Sequence, residues 1–310
     1  MIHVLCPNPA IDKLYRIDGF EAGEDYPGQR PQIRVGGKGV NVARVLGQLG
    51  AQTHLLAFLG EEGAQPIRRE MQARCACTFV TVPGACRTTV NVIDGKTGRE
   101  TVITEAGPRV TDAHVQAMLS ALCESIAPGD IVCCCSGSLA CGAPADLYAR
   151  VSRLCRERGA RCALDCNAAT LPASLRDAAY ALVKPNDREL CALLGEPRTR
   201  DAKTLCALAR RLMPGAEAVL VSMGAQGGLL VEAQRACRAQ VAPVRVSSTV
   251  GSGDACFAGA LFALSRGMQP QQTLMLAMAC GVVNAMGEET GSVDAAALAP
   301  AMQHVCVGMM

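Results

Sequence analysis

The sequence has no tryptophan, and its five phenylalanines and four tyrosines make only 3% of the 310 residues aromatic. Little aromatic surface is therefore available for stacking a planar ligand. Charge of one sign is also missing. Thirty Lys plus Arg against twenty-eight Asp plus Glu leave a net charge of +2, which gives no electrostatic footprint for nucleic acid or a charged membrane surface. The longest apolar runs, such as Ile131 to Cys135 and Ala277 to Val283, fall far short of the ~18 residues a membrane span needs. None of the eighteen cysteines has C-x-x-C spacing, and only His3, His54, His114 and His304 could add imidazole ligands, so no metal cluster is expected. The cysteines lie inside apolar stretches such as Val132-Cys133-Cys134-Cys135 and read as reduced core residues. With Pro7-Asn8-Pro9 interrupting the amino end before any signal-like h-region, the chain is read as cytoplasmic.

What is present is alternation. Short apolar runs at Ile2 to Cys6, Thr53 to Leu59, Ile131 to Ser136, Arg161 to Asp165, Ala181 to Lys184 and Ala218 to Ser222 read as buried strands. Between them lie helical stripes. Val42, Val45, Leu46 and Leu49, then Val115, Met118, Leu119 and Leu122, follow i, i+3, i+4, i+7. The fold class is α/β with a mostly parallel sheet. Two β-rich segments, about 11–35 and 79–104, break the alternation. The second holds a hairpin pattern around Asp94-Gly95-Lys96-Thr97-Gly98. Paired over the carboxyl ends of the strands, the two would form a lid. No repeat or long linker divides the chain.

Several familiar motifs fail. Gly95-Lys96-Thr97 lacks the earlier glycine of a Walker A loop, since Val90 stands there, and a dinucleotide fingerprint from Gly251 fails at Cys256. No serine sits in a G-x-S-x-G elbow. Thr249-Val250-Gly251-Ser252-Gly253-Asp254, however, leads into helical spacing at Ala255, Ala258, Gly259, Phe262 and Ala263. Amides of a Gly-x-Gly turn at a helix start approach an anion closely, which suits a phosphoryl group. Asp254 reads equally as a capping carboxylate or as a general base beside that cradle. A second cluster, Gly36-Gly37-Lys38-Gly39, opens another helix and places Lys38 and Asn41 three residues apart, where both can face one ligand.

Taken in order, Asn8-Pro9-Ala10-Ile11-Asp12, the run Gly36 to Arg44, Gly107-Pro108, Ser136-Gly137-Ser138-Leu139, Lys184-Pro185-Asn186 with Glu189, Val221-Ser222-Met223-Gly224 with Gly227, and Thr249 to Asp254 resemble the ribokinase-like sugar kinases. This is the phosphofructokinase B family, and the 1-phosphofructokinase and tagatose-6-phosphate kinase branch is most similar. The resemblance covers nearly the whole chain. It implies one domain, 1–310, a three-layer sandwich with a small β-sheet lid. It also implies catalysis by Asp254 as base with the Gly251, Ser252 and Gly253 amides as anion hole. Asp12, Gly37, Lys38, Asn41, Arg87 and Ser138 would line the sugar-phosphate site, with Lys38 and Arg87 meeting the phosphate. Lys184, Asn186, Glu189, Ser222, Gly224, Gly227 and Asn284 would bind ATP, with Asn186 and Glu189 reaching Mg²⁺ directly or through water.

The resemblance further implies conversion of fructose-1-phosphate to fructose 1,6-bisphosphate. The alternatives, in order, are a tagatose-6-phosphate kinase, a kinase of an unphosphorylated sugar or nucleoside, and a non-catalytic sugar-phosphate sensor. A homodimer formed through the lid is expected, with neither nucleic acid nor membrane as partner. There are departures from the family pattern. Ser252 replaces the usual alanine, Asp165-Cys166-Asn167-Ala168 replaces Asp-x-Ser-Gly, and Asp25-Tyr26-Pro27 stands where the branch carries an Asn-Arg pair. Arg16 and Arg30 are the candidates to replace that lid arginine.

Overall fold

The computed structural model describes residues 1–310, apart from the side chain of Ser136. Its strands are β1 (Ile2–Cys6), β2 (Ala10–Ile17), β3 (Gln32–Gly36), β4 (Thr53–Glu62), β5 (Ala76–Ala85), β6 (Arg87–Asp94), β7 (Glu100–Thr104), β8 (Ile131–Ser136), β9 (Arg161–Cys166), β10 (Leu182–Val183), β11 (Ala218–Ser222), β12 (Gly228–Glu232), β13 (Ala236–Val241) and β14 (Val305–Met309). Ten of them form one sheet in the order β14-β13-β12-β11-β10-β9-β8-β1-β4-β5, and four form a second in the order β3-β2-β6-β7. From β5 across to β11 every pairing in the large sheet is parallel; β12, β13 and β14 continue it antiparallel. The fold is α/β, with a large, mostly parallel sheet and a smaller separate one.

Strand alternation sorts the core into two layers. Ile2, Val4, Cys6, Cys133 and Cys135 face one side, against the helices Lys38–Gln48, Ser252–Ser265 and Pro270–Met286. Leu5, Val132, Cys134 and Leu164 face the other, against Asp112–Ser125 and Leu147–Glu157. Thirteen of the eighteen cysteines are buried and all are free thiols. Burial pushes Cys6 up to about 11 and Cys256 up to about 12, so these side chains behave as small neutral hydrophobes. Among the described residues no helix is long and apolar enough to cross a membrane.

Two elements differ from the sequence reading. Residues 76–85 are the outermost strand of the large sheet, so the second lid segment begins only at Arg87. Pro83 and Gly84 look like a turn but are tolerated because an edge strand needs no donor on its open side. The strand expected over Ala181 to Lys184 shrinks to Leu182–Val183. The lid strands themselves pair as anticipated, β2 parallel to β6 and β6 antiparallel to β7.

At the amino ends of β1 and β4, far from the strand ends that carry the lid, His3 and His54 sit in register and join through Nδ1 to Nδ1 at 3.2 Å. His3 Nε2 reaches Asp130 Oδ2 at 3.1 Å, and His54 Nε2 reaches Thr78 Oγ1 at 2.9 Å. Burial lowers the pKa of both rings, against the pull of Asp130 on His3. Below pH about 6.5 the unfolded chain therefore takes up protons that the folded chain resists, and stability falls as pH drops through that window. Urea midpoints at pH 5.5 and 7.5 are expected to show the lower value at 5.5, with the dependence flattened in the double variant His3→Gln, His54→Gln.

Candidate active site

The residues singled out in the sequence converge on the carboxyl ends of the parallel strands, where open α/β sheets bind ligands. Asn8 follows β1, Ser138 follows β8, Asp165 is the last residue but one of β9, Lys184 follows β10 and Ser222 ends β11. Strand order reverses between β1 and β8, and Asn8 Nδ2 donates to Ser138 Oγ at 3.2 Å across that switch point.

Asp254 lies in the first turn of the helix Ser252–Ser265, next to the left-handed Gly251 at φ +80°. Its Oδ2 accepts a 2.8 Å hydrogen bond from Asn41 Nδ2, and its Oδ1 lies 3.8 Å from Lys38 Nζ. Lys38 Nζ in turn meets Asp165 Oδ1 at 2.8 Å, and Lys184 Nζ meets Asp165 Oδ2 at 3.2 Å. Two ammonium groups thus alternate with two carboxylates on a buried floor. Burial raises the Asp254 pKa above the ordinary carboxylate range and Asp165 adds to this, while Lys38, Asn41 and Lys184 oppose it. For Lys38, burial disfavours the charge, but Asp165 and Asp254 outweigh that and hold it protonated more firmly than a free lysine. Two carboxylates thus draw Lys38 inward, beside the acid on the floor of the site. Asp165 as partner of both lysines was not singled out in the sequence as a site residue.

The lid presents the other wall. β2 sets Asp12 opposite Arg34 of β3 and Thr89 of β6, so the three side chains share one face. The Asp12 carboxylate lies over Gly36, where a Cβ would come within 2.0 Å of Oδ2 and push the carboxylate aside. Burial raises the Asp12 pKa against the hydrogen bond from Thr89 and the charges of Arg87, Arg44 and Arg34. Arg87 sits at the base of β6 beside Gly107 and Asn8, and its Nε is buried without a hydrogen-bond partner among the described residues. An orphaned buried guanidinium donor is what an anionic ligand would satisfy. Arg16 is exposed at the outer end of β2 and Arg30 is exposed in the loop before β3. The arginine brought opposite Asp12 is Arg34, which the sequence reading missed although the strand register places it there.

On the far side of Asp254, a Cβ on Gly253 would lie 3.7 Å from Lys184 Nζ, which locates that ammonium in front of the glycine loop. The Ser252 N–H donates to Thr249 O at 3.2 Å, so among the described residues the amides of this turn left without a protein acceptor are those of Gly251, Gly253 and Asp254. Ser252 serves the loop through its hydroxyl, which accepts from Asn284 Nδ2 at 2.9 Å. Asn284 also donates to Val250 O at 2.9 Å and accepts from Ser292 N at 3.2 Å; it is buried behind the loop with its amide committed to protein groups. Asn186 and Glu189 form a capping box, Asn186 Oδ1 accepting from Glu189 N at 2.8 Å and Glu189 Oε2 from Asn186 N at 2.9 Å. Glu189 stands near enough to Lys38 to help hold it charged. Ser222 bridges to Asn186, and Gly224 to Gly227 close a tight turn just beyond. Gly37 caps the helix that holds Lys38 and Asn41, and so sets both side chains beside Asp254.

An acid at the mouth of an amide cradle, ringed by ammonium groups, suits phosphoryl transfer to a hydroxyl, and a lid over a polar floor suits a carbohydrate acceptor. The class these features define is that of the carbohydrate kinases. The chain belongs to the pfkB family carbohydrate kinases, whose profile matches residues 7–295. Among solved structures, Escherichia coli phosphofructokinase-2 in its tetrameric inhibited form has a TM-score of 0.89 at 22% identity, covering 97% of this chain and 98% of that one. A Staphylococcus aureus protein with a provisional phosphofructokinase description gives 0.85 at 26% identity, covering 100% and 99%. A Thermotoga maritima protein provisionally described as a 1-phosphofructokinase gives 0.85 at 22%, also covering 100% and 99%. These likenesses show the ribokinase-like fold.

Proposed function

We propose that this sugar kinase, acting as a single domain of residues 1–310, transfers the γ-phosphoryl of ATP to a ketohexose phosphate, with fructose-1-phosphate as first substrate and fructose 1,6-bisphosphate as product. The observation that carries this reading is the Asp254 carboxylate, fixed between Asn41 and Lys38 at the start of the glycine-loop helix. Asp254 accepts the proton of the attacking sugar hydroxyl, and the Gly251 and Gly253 amides with Lys184 take up charge on the transferring group. Asp12 holds sugar hydroxyls. Arg87, with its unpartnered Nε, and Arg34 supply cations for the phosphate already on the substrate. Asn186 and Glu189 are hard oxygen donors that fit Mg²⁺, whose role when bound is to neutralise the triphosphate. Ser222, Gly224 and Gly227 border the nucleotide, while Asn284 acts from behind the loop.

The deciding experiment is ADP release from Mg-ATP with fructose-1-phosphate, tagatose-6-phosphate, fructose-6-phosphate, fructose and ribose. Fructose-6-phosphate belongs in the panel because an Escherichia coli phosphofructokinase-2 structure contains it. Highest kcat/KM on fructose-1-phosphate is expected. Preference for tagatose-6-phosphate moves the substrate and keeps the chemistry, and preference for free sugars removes the phosphate role of Arg87 and Arg34. Binding of a sugar phosphate without any ADP would make the protein a sensor. On the lid face away from Asp12, Ile33, Lys13, Val90 and Ile103 lie in one cross-strand row, with Ile33 and Ile103 more than half exposed. A second copy of this chain is the partner we assign to that row, and a monomer in sedimentation at working concentration would remove it.

A further inference from the structure

Arg44 is buried one turn along the helix from Asn41, and all its nitrogen atoms are engaged. Nε meets Glu70 Oε1 at 2.9 Å, and Nη2 donates to Val35 O at 2.7 Å. Nη1 donates to Asn41 Oδ1 at 3.0 Å, to Thr290 O at 3.2 Å and to Gly291 O at 3.3 Å. A guanidinium only donates. The oxygen end of the Asn41 amide must therefore point to Arg44, which leaves the N–H end for Asp254 Oδ2 at 2.8 Å. The reversed amide would set a carbonyl against the carboxylate and an NH₂ against the guanidinium. Gly291, at φ +61°, closes the pocket, since a Cβ there would stand 2.4 Å from Asn41 Cγ.

We propose that Arg44 is a positioning residue for the general base: it locks the Asn41 amide with its N–H toward Asp254 and ties that orientation to the lid through Val35. The proposal rests on the kinase reading above. Val35 is the residue before Gly36, over which the Asp12 carboxylate lies, so a movement of β3 on sugar binding reaches Asp254 through two side chains. The other charged groups facing Asp254 are Lys38 from the helix of Asn41 and Arg44, Asp165 from β9 and Lys184 beyond β10, and among the described residues none of them is hydrogen-bonded to Arg44.

The test uses Arg44→Lys, Asn41→Ala and the double variant. A hydrogen bond to a charged group is worth enough that Arg44→Lys is expected to lower kcat about tenfold to a hundredfold, with KM for ATP within about twofold. The acid limb of the kcat profile should move upward by about one pH unit, because the carboxylate loses an oriented N–H. The double variant should be no worse than Asn41→Ala alone, since Arg44 acts through Asn41. Carbon-13 NMR titration of the Asp254 carboxyl should show the same upward movement in Arg44→Lys without any turnover. Additive losses in the double variant, or a lowered Tm with kcat and the Asp254 titration unchanged, overturn the proposal. If Arg44→Lys does not fold, Glu70→Gln loosens the guanidinium while keeping it, and an unmoved titration there has the same consequence. A wild-type protein that makes no ADP with any sugar ends the kinase reading, while the NMR titration still decides whether Arg44 orients Asn41.

Discussion

Asp254→Asn is expected to lower kcat about 10²- to 10⁴-fold, the usual cost of losing a general base, while leaving the fold at least as stable. The amide has the shape of the carboxylate, and its oxygen can still accept from Asn41 Nδ2. What it cannot do is take a proton. The wild-type carboxylate is disfavoured by burial and by Asp165 nearby, so neutralising it relieves a strain that Lys38 and Asn41 only partly offset. Thermal midpoints equal to or above wild type, together with collapsed turnover, would separate this from a folding defect. The pH profile gives a second reading. A base must be ionised to act, and because the Asp254 pKa lies above the ordinary carboxylate value of about 3.9, the wild-type rate should fall on acidification before exposed carboxylates titrate. That limb should vanish from the residual rate of Asp254→Asn. A variant that retains wild-type kcat, or one whose acid limb is unchanged, would remove Asp254 as the base.

The parts of this site that can be read along the chain are those whose chemistry is local. An amide cradle requires missing Cβ atoms next to a helix start, and Gly251-Ser252-Gly253-Asp254 spells that in four residues. The capping box of Asn186 and Glu189 is local for the same reason, its spacing being set by one helical turn. Asp165 is different. It pairs with Lys38 from one helix and Lys184 from another strand end, and only the parallel stacking of β9 beside β10 makes them neighbours. Arg34 is hidden by a different effect. Its place beside Asp12 depends on the β2–β3 register, and a one-residue slip would turn it to the opposite face. Within the antiparallel extension β14 escapes notice because it pairs with β13 only after more than sixty intervening residues, which leaves no local hairpin to detect. Asn284 was placed near the nucleotide by resemblance, whereas burial and three protein partners define its place behind the loop.

Gly251→Ala should be nearly as damaging as loss of the base, though no reacting group is removed. Gly251 has φ +80°, where a residue with a Cβ is disfavoured by roughly 1–2 kcal/mol. The methyl would also stand 2.5 Å from the Gly291 backbone nitrogen and 2.9 Å from Thr290 Cγ2, so backbone on one side or the other must shift. Neither side can shift harmlessly. Gly291 is itself pressed against Asn41, and the carbonyls of Thr290 and Gly291 accept from Arg44, so retreat of that loop turns the amide that holds Asp254. Retreat of the Gly251 side instead moves the unpartnered Gly251 and Gly253 amides away from the transferring phosphoryl. Loss of one such donor costs about 10²- to 10³-fold in kcat, and either route also strains the fold by a few kcal/mol. Steady-state kinetics beside a urea titration would show both losses together. The comparison variant is Ser252→Ala, which keeps every backbone amide and forfeits only the hydroxyl that accepts from Asn284. A fall in kcat there of less than about tenfold would assign the larger loss at Gly251 to backbone geometry, while equal losses at the two positions would mean that the side-chain contact behind the loop, rather than the open amides in front of it, controls the transfer.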